Sequence, residues 1–363
     1  MNFVPVIDAI GEPATAGLIG LVLGLAFGAL VLISGFCTRS AVLDITRSRS
    51  GGALALWLTG FVTAVAGTQA LVTAGWLDLS TTRFFANPLS LSGAVIGGAL
   101  FGIGMVMARG CSSRLVVLAG SGNLRALFSV VLIALTAWAA IGGPLSGSVV
   151  QIGVLASTMI VGGNELGLVS GLGGWIAPLF AGLFLIAAVL AVVRARLRPS
   201  LVAMGVAIGA LVPAGFWLTQ ELSFQVFEPV AIDSLSYIRP MATVIDFAAA
   251  GAEPSLISVD IGLVAGTVLG AFLAAVLTGR FRVTTFSEPG TPSILRYGVG
   301  AVLMGFGGVL AAGCTVGAGL SGGSALAVSS LGALACMIIF GALTDLVIDK
   351  PRAKARAEIA PAG

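Results

Sequence analysis

Nine apolar stretches, each near the roughly 20 residues that a helix needs to cross the hydrocarbon core of a bilayer, dominate this chain of 363 residues. They run from Gly17 to Phe36, Gly52 to Thr73, Gly93 to Ala108, Leu124 to Gly142, Leu172 to Val193, Leu201 to Leu218, Ser258 to Thr278, Arg296 to Ala312 and Leu326 to Ile348. With 9% of residues charged and 58% hydrophobic, there is too little polar sequence to cover these stretches with water, so they must face lipid and one another. Strands of a membrane barrel would alternate apolar and polar residues over about ten positions, a pattern absent here. The expected fold is all-α, a polytopic membrane helical bundle, and 52 glycines allow close approach through small-residue faces.

Cations fall on alternate connections: Arg39, Arg47 and Arg49; Arg109, Arg114 and Arg125; Arg194, Arg196 and Arg198; Arg280 and Arg282; and the tail Lys350, Arg352, Lys354 and Arg356. The positive-inside rule places all five in the cytoplasm, with the amino terminus outside and the carboxyl terminus inside. The long opposite connection from Thr219 to Ile257 carries Glu221, Glu228, Asp233, Asp246 and Glu253 against Arg239 and reads as a solvated outer cover. Asp8 and Glu12, rather than cations, precede the first span, so it reads as retained and not as a cleaved signal. A net charge of +3 is too small to imply nucleic acid. Four cysteines in such a chain do not form a disulfide framework.

Two of those cysteines mark a repeat. Gly110-Cys111-Ser112 and Gly313-Cys314-Thr315 close glycine-studded spans in which Gly97, Gly102 and Gly104 keep step with Gly300, Gly305 and Gly307. Gly120-Ser121 likewise matches Gly323-Ser324, and Gly24 and Gly28 match Gly205 and Gly209. Four spans on each side of the linking span Leu172 to Val193 give two halves of opposite orientation, an inverted repeat. The expected organisation is a first membrane repeat over 1–171, a linking span and basic loop over 172–200, a second repeat over 201–349 and a basic cytoplasmic tail over 350–363. Cys37 follows Gly35-Phe36, whereas Trp217 follows Gly215-Phe216, so Trp217 is expected to fill the space opposite Cys37 or to narrow the path there.

The segments Ser112 to Ser121 and Thr315 to Ser324 are too short to cross a bilayer and are expected to be short re-entrant helices. Helices starting just after Gly-Cys would present unpaired backbone N–H groups beside the thiols, an arrangement that attracts anions. The chain has no histidine, which excludes a histidine metal site or proton relay, and its carboxylates sit near span ends or in loops, unlike those of a mid-membrane cation pump. No metal or cofactor is expected. The polar groups that remain are thiols, hydroxyls, amides and a few arginines. All are donors, and a thiol's soft sulfur suits a large sulfur-bearing anion. Neutral thiols are required, since a thiolate would repel the anion and could not donate. Cys336 has no counterpart in the motif and reads as a packed apolar side chain.

Gly110-Cys111-Ser112, Gly313-Cys314-Thr315-Val316-Gly317-Ala318-Gly319 with Ser321-Gly322, and Gly35-Phe36-Cys37 resemble the YeeE/YedE family of bacterial inner-membrane sulfur transporters, whose characterised function is thiosulfate uptake. The resemblance implies an hourglass-shaped bundle of transmembrane and short helices in which Cys37, Cys111 and Cys314 pass thiosulfate along by S–H hydrogen bonds. Gly110, Ser112, Arg109, Arg114, Gly313, Thr315 and Gly317 are the expected supporting contacts. A transporter rather than an enzyme follows, with a small sulfur-containing anion and the lipid bilayer as partners and a cytoplasmic sulfurtransferase as the candidate protein partner. The alternative from another class is a membrane thiol oxidoreductase or persulfide carrier; the lack of a Cys-x-x-Cys pair and of histidine counts against it.

Overall fold

The computed structural model describes residues 2–47, 50–86, 90–157, 163–171, 173–227, 230–288 and 291–349. Arg49, Leu172, Glu228 and the tail from Lys350 onward lie outside the described residues. Among the described residues fifteen α-helices follow in order: α1 (Val4–Ile10), α2 (Glu12–Ser34), α3 (Thr38–Thr46), α4 (Gly52–Thr73), α5 (Leu91–Met107), α6 (Ser112–Gly120), α7 (Leu124–Ile141), α8 (Ser146–Val154), α9 (Leu166–Ser170), α10 (Ile176–Ala195), α11 (Pro199–Ser223), α12 (Ile238–Ala249), α13 (Val259–Leu277), α14 (Ile294–Leu310) and α15 (Val328–Thr344). A π-helix over Thr315–Gly322 lies between the last two, and a π-turn over Asp345–Asp349 ends the described chain. Among the described residues, nine helical segments are long and apolar enough to cross a membrane, at the places the sequence predicts. The chain is a multi-pass all-α membrane protein.

Side chains at the helix starts account for several boundaries. Asn123 accepts the amides of Arg125 and Ala126, Ser90 that of Gly93 and Ser293 that of Arg296, each satisfying a first-turn donor that has no partner inside the helix. Pro13 and Pro199 sit in the first turns of α2 and α11, where a missing N–H has no consequence. Both helices therefore begin earlier than the apolar stretches Gly17 to Phe36 and Leu201 to Leu218 suggest.

Packing pairs the elements by a rule of exchange. Helix α2 lies along α13, and α11 lies along α4; α5 packs on α14 and α15, while α14 packs on α5 and α7. The short helix α6 rests on α13, and the π-helix on α4. Helix α3 touches α4 and α15 as α12 touches α13 and α7. The tightest pair, α2 with α13, is a ladder of small residues at every fourth position: Gly20, Gly24 and Gly28 against Gly262, Gly266 and Gly270. A Cβ on Gly24 would strike the Leu263 carbonyl, and one on Gly266 the Leu21 carbonyl. Such contact lets backbones meet where lipid supplies no hydrophobic drive between helices. Helix α10, the linking span, lies at the periphery: it packs on α4 but exposes Leu179, Leu183, Ile186 and Val193.

Two expectations need correction. The connection from Thr219 to Ile257 is not a solvated cover along its whole length. Its middle enters the bundle as an extended run ending in Leu235, Ser236 and Tyr237, each no more than 1% exposed, and continues as α12, which buries Ile238, Met241 and Ala242. Backbone of this kind is tolerated at depth only when protein surrounds it. The Ser321 hydroxyl donates to the Leu235 carbonyl and the Ser234 hydroxyl to the Val212 carbonyl. Two of the acidic residues serve as anchors: Asp233 pairs with Arg83 at 3.4 Å, and Asp246 accepts from the Trp138 indole at 2.6 Å. The second correction concerns Trp217. It is half-buried within an α11 that runs on unbroken to Ser223, whereas Cys37 stands immediately before α3. By the packing rule the partner of α3 is α12, and the residue immediately before α12 is Tyr237.

Candidate thiol-lined site

Both Gly-Cys motifs are built by the same backbone device. Helix α5 ends with Arg109 in the left-handed region (φ 61°) and α14 ends with Ala312 there (φ 54°). The Gly110 amide reaches back to the Met105 carbonyl at 3.1 Å, and the Gly313 amide to the Gly308 carbonyl at 2.8 Å, the closing bond of a Schellman turn. The chain leaves each turn extended at the cysteine and at once enters a short helix. Arg109 and Ala312 hold equivalent places, so the position is a turn residue first. Arg109 is exposed and lines a cavity of about 180 Å³ with Asn123, Arg125 and Tyr297. A cavity of about 240 Å³ lined by Ala312, Asn164, Arg83 and Ser329 lies at the corresponding place in the other half.

All three predicted cysteines are the N-cap residues of short helices: Cys37 of α3, Cys111 of α6 and Cys314 of the π-helix. The Cys314 sulfur accepts the Gly317 amide at 3.3 Å, which leaves its own S–H as a donor. Cys37 and Cys111 come together, with Sγ atoms 3.7 Å apart, and the Ser113 hydroxyl lies 3.5 Å from the Cys111 sulfur. The thiols are sealed from solvent at 5%, 2% and 0% exposure. Cys336 is only partly buried, and the Cβ of that residue abuts Gly98 where α5 crosses α15, a packing role.

The hydroxyls beside the paired cysteines add to this donor set. Ser112 and Thr315, the first residues of the two short helices, are fully buried, and their hydroxyl oxygens have no hydrogen-bond partner among the described residues. A polar group left so in a low-dielectric interior is costly, and the same cost recurs at equivalent places. The predicted glycines are steric. A Cβ on Gly110 would press on Leu115 at 3.0 Å, and one on Gly313 would lie 2.6 Å from the Ala318 amide nitrogen. A Cβ on Gly317 would meet the Ser236 hydroxyl at 2.6 Å and the Arg83 guanidinium at 3.3 Å. Arg114 donates to the Val31 carbonyl at 2.6 Å, clamping α6 to the end of α2 and setting Cys111 against Cys37.

Helix α3, which carries Cys37 at its head, is held by a charge cluster that the sequence alone did not assemble. Arg47 is hydrogen-bonded to both oxygens of the fully buried Asp345, and Thr46 donates to the same carboxylate at 2.6 Å. Arg39 and Arg296 share Asp349 at 3.3 and 2.7 Å. The hydrogen bonds to Asp345 hold the Arg47 guanidinium above its ordinary value, so it remains charged. Among the described residues no group of histidine, cysteine and acidic side chains could hold a metal ion.

A family profile described as sulphur transport matches residues 33–344, from just before Cys37 to the end of α15. The chain belongs to the YeeE/YedE sulphur-transport family. It is 28% identical over 322 residues to the thiosulfate transporter TsuA of Spirochaeta thermophila, covering 86% of this chain and 92% of that one. It is also 28% identical over 330 residues to the thiosulfate transporter TsuA of Escherichia coli, covering 83% of this chain and 86% of the relative. Membership in a transport family with relatives named as transporters agrees with a transport role rather than catalysis.

Proposed function

We propose that this protein takes up thiosulfate, or a closely related sulfur-bearing anion, across the bacterial inner membrane along a path formed by Cys37, Cys111 and Cys314. The observation that carries this reading is the donor set at the two Gly-Cys turns. Buried thiols cap short helices, and the orphan hydroxyls of Ser112 and Thr315 lie beside two of them. First-turn amides add partial positive charge. Each hydrogen bond to a charged group contributes roughly 1.5 to 3 kcal/mol, and a thiol falls at the low end. Weak sites in series hold an anion long enough to admit it and not so tightly as to trap it. Neutral thiols are essential to this scheme.

The exchange of packing partners supports two repeats of opposite orientation related about the thiols, with α10 as the linking span. The arginine-bearing connections face the cytoplasm on the positive-inside rule, so the amino terminus lies outside and the carboxyl terminus inside. Arg39, Arg109 and Arg114 then surround the inner end of the path, where a cytoplasmic sulfurtransferase would collect the anion.

The 3.7 Å approach of Cys37 and Cys111 also fits a membrane dithiol that cycles through a disulfide. Serine replacement separates the two readings. A hydroxyl keeps a hydrogen-bond donor but forms no disulfide, so Cys37→Ser and Cys111→Ser retain part of the uptake of labelled thiosulfate into proteoliposomes if the anion path is right. Complete loss in both serine variants, with uptake retained in neither reducing nor oxidising buffer, favours the dithiol cycle.

A further inference from the structure

The half of the molecule that carries Cys314 has no second thiol. At the place equivalent to Cys37 it has Tyr237, the residue that precedes α12. Tyr237 is fully buried, and its ring packs against Phe27 with centroids 5.3 Å apart. Neighbours on both sides tie it to the thiol turns. The preceding Ser236 hydroxyl faces Gly317 in the first turn after Cys314, and Leu235 accepts from Ser321 in the same π-helix. On the other side Tyr237 bonds Thr267 of α13, the helix on which α6 rests after Cys111; Gly120 of α6 meets Val268 and Ala271 there.

The direction of its hydrogen bond follows from counting protons. The Thr267 hydroxyl donates its single proton to the Leu263 carbonyl at 2.7 Å. In the 2.8 Å contact with Tyr237, the tyrosine must therefore be the donor. That proton can turn to a better acceptor without stranding Thr267, which stays bonded through its own hydrogen. An anion beside the thiols is such an acceptor, because hydrogen bonds to a charged oxygen are roughly twice as strong as those between neutral groups.

We propose that Tyr237 is a specificity-determining residue of the transport path: its hydroxyl swings from Thr267 to an oxygen of the passing anion. The inference rests on the thiol path described above. It divides the labour chemically, with soft S–H groups serving the sulfur end of the anion and a harder O–H serving the oxygen end. An anion lacking either end loses one class of contact.

The test is thiosulfate uptake into proteoliposomes by Tyr237→Phe, which keeps the ring and removes the hydroxyl, beside Thr267→Val, which removes the resting acceptor. Tyr237→Phe is expected to lower the uptake rate roughly tenfold, while Thr267→Val, which keeps the phenol and removes only its resting partner, lowers it less. A merely structural hydrogen bond would make the two variants equivalent. A second measurement does not depend on the folding of Tyr237→Phe. The chain has two tyrosines, so Tyr297→Phe with 3-fluorotyrosine incorporation leaves one fluorine probe, at Tyr237, whose resonance is expected to shift on titration with thiosulfate. Native uptake by Tyr237→Phe, or a resonance that does not respond, overturns the inference. If instead Cys111→Ala and Cys314→Ala transport normally while Tyr237→Phe does not, the thiol path falls and the tyrosine stands.

Discussion

Mild oxidation with diamide should join Cys37 to Cys111 and slow transport reversibly. The two sulfurs lie 3.7 Å apart, and a disulfide needs about 2.05 Å, so each must move about 0.8 Å. A turn of about 30° about χ1 supplies that movement, at a side-chain cost of order 0.5 to 1.5 kcal/mol. The two thiols give up two protons and two electrons, and diamide is reduced to the hydrazine. Two donors disappear from the path; at about 1 to 1.5 kcal/mol each, the barrier for an anion rises by about 2 to 3 kcal/mol, a slowing of roughly 30- to 150-fold. Non-reducing peptide mass spectrometry identifies the linked peptides, uptake into proteoliposomes reads the rate, and dithiothreitol should restore it. Cys111→Ser should be indifferent to diamide. Cross-linked protein that transports at the native rate would refute the place of this pair in the path, and a folded protein that never cross-links would refute the geometry.

Gly266→Val should abolish the folded state, because a Cβ there already strikes the Leu21 carbonyl; loss of the monodisperse peak in size-exclusion chromatography checks it, whereas Gly174→Ala, with open space around it, should behave as native. Asp345→Asn takes the nearer of two carboxylates from Arg47, at a site with 0% exposure, and leaves it Asp349 at 3.8 Å; about 2 to 3 kcal/mol of stability should be lost, visible as a lower melting temperature in detergent. Gly317→Ala should lower uptake with little loss of stability if its new methyl displaces the Ser236 hydroxyl and Arg83 from the turn after Cys314; uptake at the native rate would show that the space beside Gly317 is not used.

Much of this architecture was legible because membrane burial imposes long apolar runs and because the Gly-Cys turns repeat. The start of a short helix directly after Cys111 and Cys314 followed from the length of the segments between glycines. Helix α12 was hidden by averaging. Five acidic residues over 219–257 set the character of that connection, yet Ile238, Met241, Ala242 and Ile245 recur at the i, i+3, i+4, i+7 spacing of an amphipathic helix, and that signal could have found it. Matching Trp217 to Cys37 by counting from Gly-Phe failed because α11 continues past its Gly-Phe, whereas α2 stops at Gly35, which is left-handed (φ 74°). Nothing in the sequence foretold the meeting of Cys37 with Cys111 or of Arg47 with Asp345, since each joins residues separated by 74 and 298 positions through helix packing. The π-helix after Cys314 was likewise unforeseen; its run of Gly317, Gly319 and Gly322 lacks the side chains that hold α6 to α-helical pitch.

The most direct measurement is uptake of labelled thiosulfate by purified protein in liposomes, with Cys111→Ala and Cys314→Ala run beside the native chain. The thiol path predicts uptake by the native protein and its loss in both variants while each remains folded. Native rates in either alanine variant would contradict that path, and the absence of uptake by well-folded native protein would contradict thiosulfate as the cargo.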